Sequence, residues 1–113
     1  MLAAVAALIV VGLASAMTVP KLKGSVGPSF TISLKTAKGK TVKTLKAGKY
    51  TFVVKDQATI HNFTVDGPGV KDKTITGTGF TGTKSVTLKL KKGKYEFYCT
   101  VHPTTIHGTF KVT

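Results

Sequence analysis

Apolar and polar side chains alternate along several short stretches of this 113-residue chain, and this period of two constrains its fold more than any other feature. The alternation runs through residues 30–34, 50–54, 86–90 and 95–99, and it resumes at Phe110 and Val112. A period of two is typical of strands with one buried face, and glycines separate the stretches as turn residues. The sequence therefore predicts an all-β domain, built as an antiparallel sandwich.

Two segments of the chain repeat each other. Residues 45–52 and 90–97 share leucine, lysine, glycine, tyrosine and phenylalanine at matching positions, so that Tyr50 and Tyr95 each enter a predicted strand after a glycine turn. The pattern resembles the tyrosine corner of Greek-key sandwiches, in which the hydroxyl bonds back to the preceding turn. It favours a Greek-key β-sandwich, and two similar hairpin turns are the alternative.

The N-terminal segment differs from the rest of the chain. Residues 2–16 are almost wholly apolar, carry no charge and end in Ala14, Ser15 and Ala16. This pattern predicts a signal peptide at residues 1–16, since a spanning helix needs about 20 apolar residues. An uncleaved anchor is the alternative. The remaining residues, 17–113, are expected to form one domain with an extracytoplasmic location, whether secreted, periplasmic or at the cell surface.

The chain is strongly basic, with 17 basic residues against four acidic ones and a formal net charge of +13. Every basic residue is a lysine, and the lysines are spread along the sequence. Such a surface is either simply well solvated or suited to an acidic protein or an anionic cell surface. The absence of arginine and of interleaved aromatic residues argues against nucleic acid.

No catalytic constellation stands out in the sequence. The acidic residues form no pair along the chain, and Ser29 and Ser33 lie in no triad pattern. The chain is therefore predicted not to be an enzyme.

Cys99 is the only cysteine of the chain, and the three histidines are His61, His102 and His107. A single cysteine has no partner for an internal disulfide, so its thiol is either a small buried apolar group or a metal ligand. Strand parity turns Cys99 and His61 inward at strand ends, and His102 follows Cys99 in a loop. Each residue alone fits an ordinary core or surface position. Together, two histidines and one cysteine are the equatorial donors of a blue-copper site.

The segments around these residues resemble the cupredoxins, the small type 1 copper proteins of the plastocyanin and azurin kind. The matching elements are His61-Asn62-Phe63, Tyr98-Cys99-x-x-His102-Pro103 and the closing residues 108–112. The resemblance covers about residues 28–113 and implies a cupredoxin-like Greek-key sandwich. It also implies one type 1 copper ion, held by His61, Cys99 and His102. Asn62 would then tie the two ligand-bearing segments together by hydrogen bonds.

The chain departs from the cupredoxin pattern at the axial position, which in the family is a methionine two residues before the closing glycine. That position is Ile106 here, and the two methionines, Met1 and Met17, lie far from this loop in the sequence. Parity groups Ile106 with inward residues and His107 with outward ones, which favours Ile106 over His107 as the axial residue. An apolar axial residue donates nothing to copper and should raise the reduction potential, whereas a fourth imidazole should lower it.

The resemblance implies an exported monomer that carries single electrons to or from a redox protein. The lysine-rich surface would steer it toward an acidic docking surface. Pro103 and Ile106 are expected to form an apolar docking patch around His102. Two other functions stay open, a copper carrier or scavenger without a redox partner and a metal-free structural sandwich.

Overall fold

The computed structural model describes residues 18–113, so the predicted signal segment at residues 1–16 lies outside the described residues. The described part forms nine β-strands. Their bounds are β1 Lys21–Val26, β2 Ile32–Thr36, β3 Thr44–Leu45, β4 Gly48–Asp56, β5 Phe63–Gly67, β6 Val70–Thr76, β7 Gly82–Leu90, β8 Gly93–Tyr98 and β9 His107–Val112. Within residues 18–113 there is no helix of the length and hydrophobicity needed to span a bilayer.

The strands form two sheets that pack face to face. The four-stranded sheet has the order β2-β1-β4-β7, and the five-stranded sheet has the order β3-β9-β8-β5-β6. The predicted all-β sandwich is confirmed, but the expectation of purely antiparallel pairing is wrong. The pairs β1–β4 and β3–β9 are parallel. The chain visits the other sheet between the members of each pair, and such long crossovers let two strands run in the same direction.

The core lies between the inner faces of the two sheets, as the alternating pattern predicts. The four-stranded sheet contributes aliphatic side chains and Phe52, and the five-stranded sheet contributes most of the aromatic ones. Phe63 stacks on Phe97 with ring centroids 5.8 Å apart, and Tyr95 stacks on Phe110 at 5.1 Å. The predicted inward face of β8 is therefore confirmed, and it leads directly to the buried Cys99.

Both predicted tyrosine corners are present. Tyr50 donates its hydroxyl proton to the carbonyl of Lys46 at 2.7 Å. The Tyr95 hydroxyl lies 2.8 Å from the carbonyl of Lys91 and 2.6 Å from that of Pro68, and it accepts the N–H of Lys91 at 2.8 Å. Burial raises the pKa of Tyr95. The two corners lie where the chain crosses between sheets, from β3 to β4 and from β7 to β8, so they are not hairpin turns.

Strand β2 begins later than the alternation predicts. The pattern includes Phe30, but the strand starts at Ile32. The chain turns just before it, where the N–H of Gly27 bonds to the carbonyl of Thr31 at 2.9 Å. Phe30 therefore belongs to a connecting segment, and its side chain is 52% exposed.

Candidate metal centre

Two neighbouring strands bring the first two candidate ligands to one end of the sandwich. Strands β5 and β8 are antiparallel, with Thr64 opposite Tyr98, so the start of β5 meets the end of β8. His61 precedes β5 by two residues, and Cys99 directly follows β8. Both side chains are fully buried. This end, called the site end below, lies opposite the tyrosine corners.

The loop between β8 and β9 carries His102 back toward Cys99. The N–H of Cys99 bonds to the carbonyl of Ile106 at 3.0 Å and closes the loop at its base. The N–H of His102 bonds to the carbonyl of Cys99 at 3.2 Å, and the N–H of Ile106 bonds to the carbonyl of His102 at 2.9 Å. The potential ligand atoms of His61, Cys99 and His102 consequently lie within 4.8 Å of one another.

The polar atoms of this cluster fit a metal ion better than they fit the protein alone. Both ring nitrogens of His61 and Nδ1 of His102 are buried, and they have no hydrogen-bond partner among residues 18–113. A buried polar atom without a partner costs about 1–3 kcal/mol, so such atoms are rare in folded proteins. Imidazole nitrogens beside a thiol sulfur form a donor set suited to copper or zinc.

A glycine makes room for the His61 ring. Gly27 has φ of 74°, in the left-handed region that favours glycine. A Cβ at this position would lie 3.2 Å from Cδ2 of His61 and 3.1 Å from the Cβ of Ala58. The close approach of the Gly27 backbone therefore helps to hold the imidazole in place, and a larger residue would push against it.

Asn62 connects the two segments that carry the candidate ligands. Its side chain donates to Oγ1 of Thr100 at 2.7 Å and accepts the N–H of Thr100 at 3.0 Å. It also donates to Oγ1 of Thr78 at 3.0 Å and accepts from Thr64 at 3.1 Å. The backbone N–H of Asn62 points at Sγ of Cys99, 3.4 Å away. These bonds bury Asn62 and Thr64 on the face that parity alone would expose.

Ile106 and His107 differ sharply in their surroundings. The side chain of Ile106 is fully buried, and its carbonyl closes the loop at Cys99. The side chain of His107 is 45% exposed, with Nδ1 3.7 Å from Oε2 of Glu96. His107 is not part of the cluster formed by the three candidate ligands.

The surface beside His102 is apolar, but only one of the two residues predicted for it, Pro103, is exposed there. Ile106 is fully buried, so it cannot contribute to the expected surface patch. The exposed large apolar side chains at this end are instead Phe30, Ile60 and Val101, each a little over half exposed. The ring of Phe30 lies 4.8 Å from that of His102 and 5.3 Å from that of His61. The strand-like alternation in the sequence concealed this role of Phe30.

Acidic residues gather around Tyr98 on the outer face of the five-stranded sheet, although the sequence shows no acidic pair. Tyr98 donates to Oδ1 of Asp72 at 2.6 Å. Asp66 accepts the N–H of Asp72 at 2.9 Å and lies directly opposite Glu96 across β5 and β8. The hydrogen bond to Asp72, together with burial, raises the pKa of Tyr98 to about 12.

No protein-family model and no curated protein matches this sequence. Among solved structures, the chain is similar to auracyanin A, a "blue" copper protein from the green thermophilic photosynthetic bacterium Chloroflexus aurantiacus. That similarity has a TM-score of 0.57 and 21% identity, and it covers 82% of this chain and 98% of the other. The fold is that of the cupredoxins.

Two further structures share this cupredoxin fold. Reduced rusticyanin matches with a TM-score of 0.53 and 20% identity, over 82% of this chain and 78% of the other. A chain of a heme-copper terminal oxidase dimer matches with a TM-score of 0.57 and 16% identity, over 82% of this chain and 63% of the other. The candidate metal centre thus occurs on a fold that blue copper proteins also use.

Proposed function

We propose that this protein is an extracytoplasmic type 1 copper protein that carries single electrons and is not an enzyme. The observation that carries the proposal is the convergence of His61, Cys99 and His102, with buried histidine nitrogens that lack a hydrogen-bond partner within residues 18–113. The likeness to the blue copper protein auracyanin A supports the same function. A two-histidine, one-thiolate donor set is characteristic of blue-copper electron transfer.

In this proposal the strand ends and Asn62 hold His61 and Cys99 in place. Together with His102, these two residues would hold one copper ion, which would supply one-electron chemistry through its Cu(II) and Cu(I) states. The ends of β5 and β8 hold His61 and Cys99, and the hydrogen bonds of Asn62 tie these ends together. The N–H of Asn62 donates toward Sγ of Cys99 and helps to orient it. Donors held this firmly need little movement when the electron arrives or leaves.

We propose Ile106 rather than His107 as the axial residue. The full burial of Ile106 supports this choice, as does the exposed position of His107 beside Glu96. An isoleucine at this position would offer copper no donor atom, which would favour Cu(I) relative to Cu(II). The expected consequence is a reduction potential above that of a methionine-ligated variant.

Electron exchange would take place through the apolar surface around His102. Phe30, Ile60 and Val101 are exposed there, and they can make a brief contact with a redox protein. The net charge of +13 would steer a partner with an acidic docking surface, and the association rate should fall as the salt concentration rises. The chain would act as a monomer, with residues 1–16 as the export signal and residues 17–113 as the copper domain.

Visible spectroscopy tests the copper site. Addition of Cu(II) to the purified protein should produce an intense thiolate-to-copper absorption band at one equivalent. Cys99→Ser should abolish the band, whereas Thr104→Ala, an exposed position in the same loop, should keep it. A wild-type protein that remains colourless and takes up no copper would overturn the proposal. Tight copper binding with very slow electron exchange would instead indicate a copper carrier.

Two variants test the axial residue. Ile106→Met should lower the reduction potential, because the thioether stabilises Cu(II). His107→Ala should leave the spectrum and the potential unchanged. An unchanged or higher potential in Ile106→Met, or a shifted spectrum in His107→Ala, would assign the axis to another group.

A further inference from the structure

The outer face of the four-stranded sheet carries a layer of lysines. Its inner positions point into the core, so the alternate residues of β1, β2, β4 and β7 face outward. Six of these outward residues are exposed lysines, namely Lys21, Lys23, Lys35, Lys49, Lys55 and Lys89. The rest are mainly serine and threonine, and Thr51 and Thr87 on neighbouring strands share a hydrogen bond of 2.9 Å. This surface is called the lysine face below.

Several of these lysines repel one another across the strands. Lys23 lies directly opposite Lys35 in the β1–β2 pair, and Lys49 lies directly opposite Lys89 in the β4–β7 pair. Side chains in such positions have Cβ atoms about 4.5–5.5 Å apart, and like charges there destabilise the sheet. No lysine forms an ion pair among residues 18–113. The lysine face is therefore a surface on which added negative charge relieves repulsion.

The acidic residues of the chain all lie elsewhere. Asp56 is buried, and Asp66, Asp72 and Glu96 belong to the five-stranded sheet. The charged residues of the lysine face are therefore all lysines, whereas the outer face of the five-stranded sheet carries the acidic cluster around Tyr98 together with lysines such as Lys94 and Lys111. An asymmetric charge distribution orients a protein in an electric field at an anionic surface.

We propose that the lysine face docks on a lipid bilayer that carries anionic phospholipids. Its charges are lysine ammonium groups, which act as point charges and lack the fork that lets arginine grip one phosphate. They are distributed over four strands, with Lys21, Lys23, Lys35 and Lys55 along one open groove. The face offers no aromatic residue for stacking. The lysine face is therefore better suited to many lipid headgroups spread over a bilayer surface than to a single bound anion.

The proposed orientation leaves the metal centre accessible. Strands β1 and β4 run along the lysine face and end at Val26 and Asp56, near the site end. The apolar surface of Phe30, Ile60 and Val101 lies at that end of the sandwich, beyond the strands, so the lysine face flanks it and does not cover it. A protein held by the lysine face could thus still meet a redox partner. The docking itself needs no metal and goes beyond the proposed electron transfer.

Vesicle binding tests this docking with the full chain. Partitioning would be measured onto phosphatidylcholine vesicles with and without phosphatidylglycerol, because the ratio removes any contribution of the apolar residues 2–16. The variant Lys21→Gln, Lys23→Gln and Lys35→Gln should lower this ratio on the order of a hundredfold, at about fivefold per lysine near an anionic surface. The control variant Lys43→Gln, Lys94→Gln and Lys111→Gln has the same net charge and changes a groove on the other sheet.

The control variant should lower the ratio less than about tenfold, since its lysines lie away from the membrane in the proposed orientation. Copper loading should leave the ratio unchanged, so vesicle binding and copper binding can fail independently. Equal losses in both variants would show that net charge alone drives binding, and would overturn the proposal. So would a wild-type chain indifferent to phosphatidylglycerol. If the lysine-face variant only slowed electron exchange with an acidic protein, the occupant would be that protein and not a bilayer.

Discussion

The two ends of the sandwich treat buried polar groups in opposite ways. At the end that carries the tyrosine corners, the hydroxyl of Tyr95 bonds to main-chain groups of Lys91 and Pro68. At the site end, buried ring nitrogens of His61 and His102 have no partner in the part of the chain that the structure describes. Unpartnered buried polar atoms cost stability, and proteins keep them mainly where function needs them. The chain alone satisfies the buried hydroxyl at the tyrosine corners, whereas in the proposed function a copper ion completes the site end.

Copper loading should produce the largest change in the free energy of unfolding. If an ion completes the site end, copper at a thousand times its dissociation constant should stabilise the fold by about 4 kcal/mol. The measurement is urea unfolding of the copper-free and copper-loaded protein. His61→Ala should remove most of this gain, because it deletes one of the three donors. Equal stability of the wild type with and without copper would contradict the idea that a metal ion satisfies the buried groups of the site end.

Loss of Asn62 should have the next largest effect, since its side chain makes four hydrogen bonds, two of them to Thr100 beside Cys99. Asn62→Ala removes the acceptor of the Thr100 N–H and one of the two hydrogen-bond partners of the Thr64 hydroxyl, and it should cost about 3 kcal/mol. It should also shift the copper absorption band. Thr78→Val is the matched control, because Thr78 is an exposed residue that makes a single part-buried bond to the same side chain, and its loss should cost under ~1 kcal/mol. Similar losses in both variants would contradict the central role given to Asn62.

The tyrosine corners test the other end. Tyr95→Phe should cost about 2 kcal/mol, because it strips main-chain groups of Lys91 and Pro68 of a buried partner. Tyr50→Phe breaks only a single bond, to the Lys46 carbonyl. This bond is more exposed than those of Tyr95, so its loss should cost about half as much. Chemical denaturation gives both values. The copper spectrum should be unchanged in each variant, and a shifted band would mean that the two ends are not independent.

Substitution of Tyr98 should give the smallest effect on stability, and its pH dependence should be seen only at alkaline pH. The unfolded chain loses its phenolic proton near pH 10, whereas Asp72 raises the pKa of Tyr98 in the folded state to about 12. The folded state therefore holds more protons between pH 10 and about 12, and the stabilisation is complete below pH 10 and lost through this window. The difference in unfolding free energy between wild type and Tyr98→Phe should shrink there by less than ~1 kcal/mol, because the pair is partly exposed. A constant difference from pH 9 to 12 would refute the role of Asp72.

Strand faces could be predicted from the sequence, but strand direction and some strand limits could not. Alternation correctly grouped Tyr95, Phe97 and Cys99 on one buried face, because successive side chains in a strand point to opposite sides. It failed at Phe30, since a turn before β2 interrupts the strand without changing the pattern. It also says nothing about which way neighbouring strands run, so the parallel pairs of β1 with β4 and β3 with β9 came only from the structure.

The features of the candidate site also fall into those predicted from the sequence and those seen only in the structure. The sequence named the donor types and the short loop from Cys99 to His102, because a few residues of backbone limit how far two side chains can separate. It also identified the tyrosine corners, which bond within four residues. The sequence did not reveal the apolar surface at Phe30 or the acidic cluster at Tyr98, whose members are distant along the chain.

The sequence by itself determined the alternating strands, the corner turns, the donor residues and the excess of lysine. Only the tertiary structure decided that His61 meets Cys99 and that Asn62 bonds both segments. It also decided that six lysines share the outer face of one sheet, while the exposed acidic residues lie on the other sheet. The physical reason is that local spacing follows from backbone geometry. Contacts between distant segments depend on the register and order of strands, which the packing of the whole core sets.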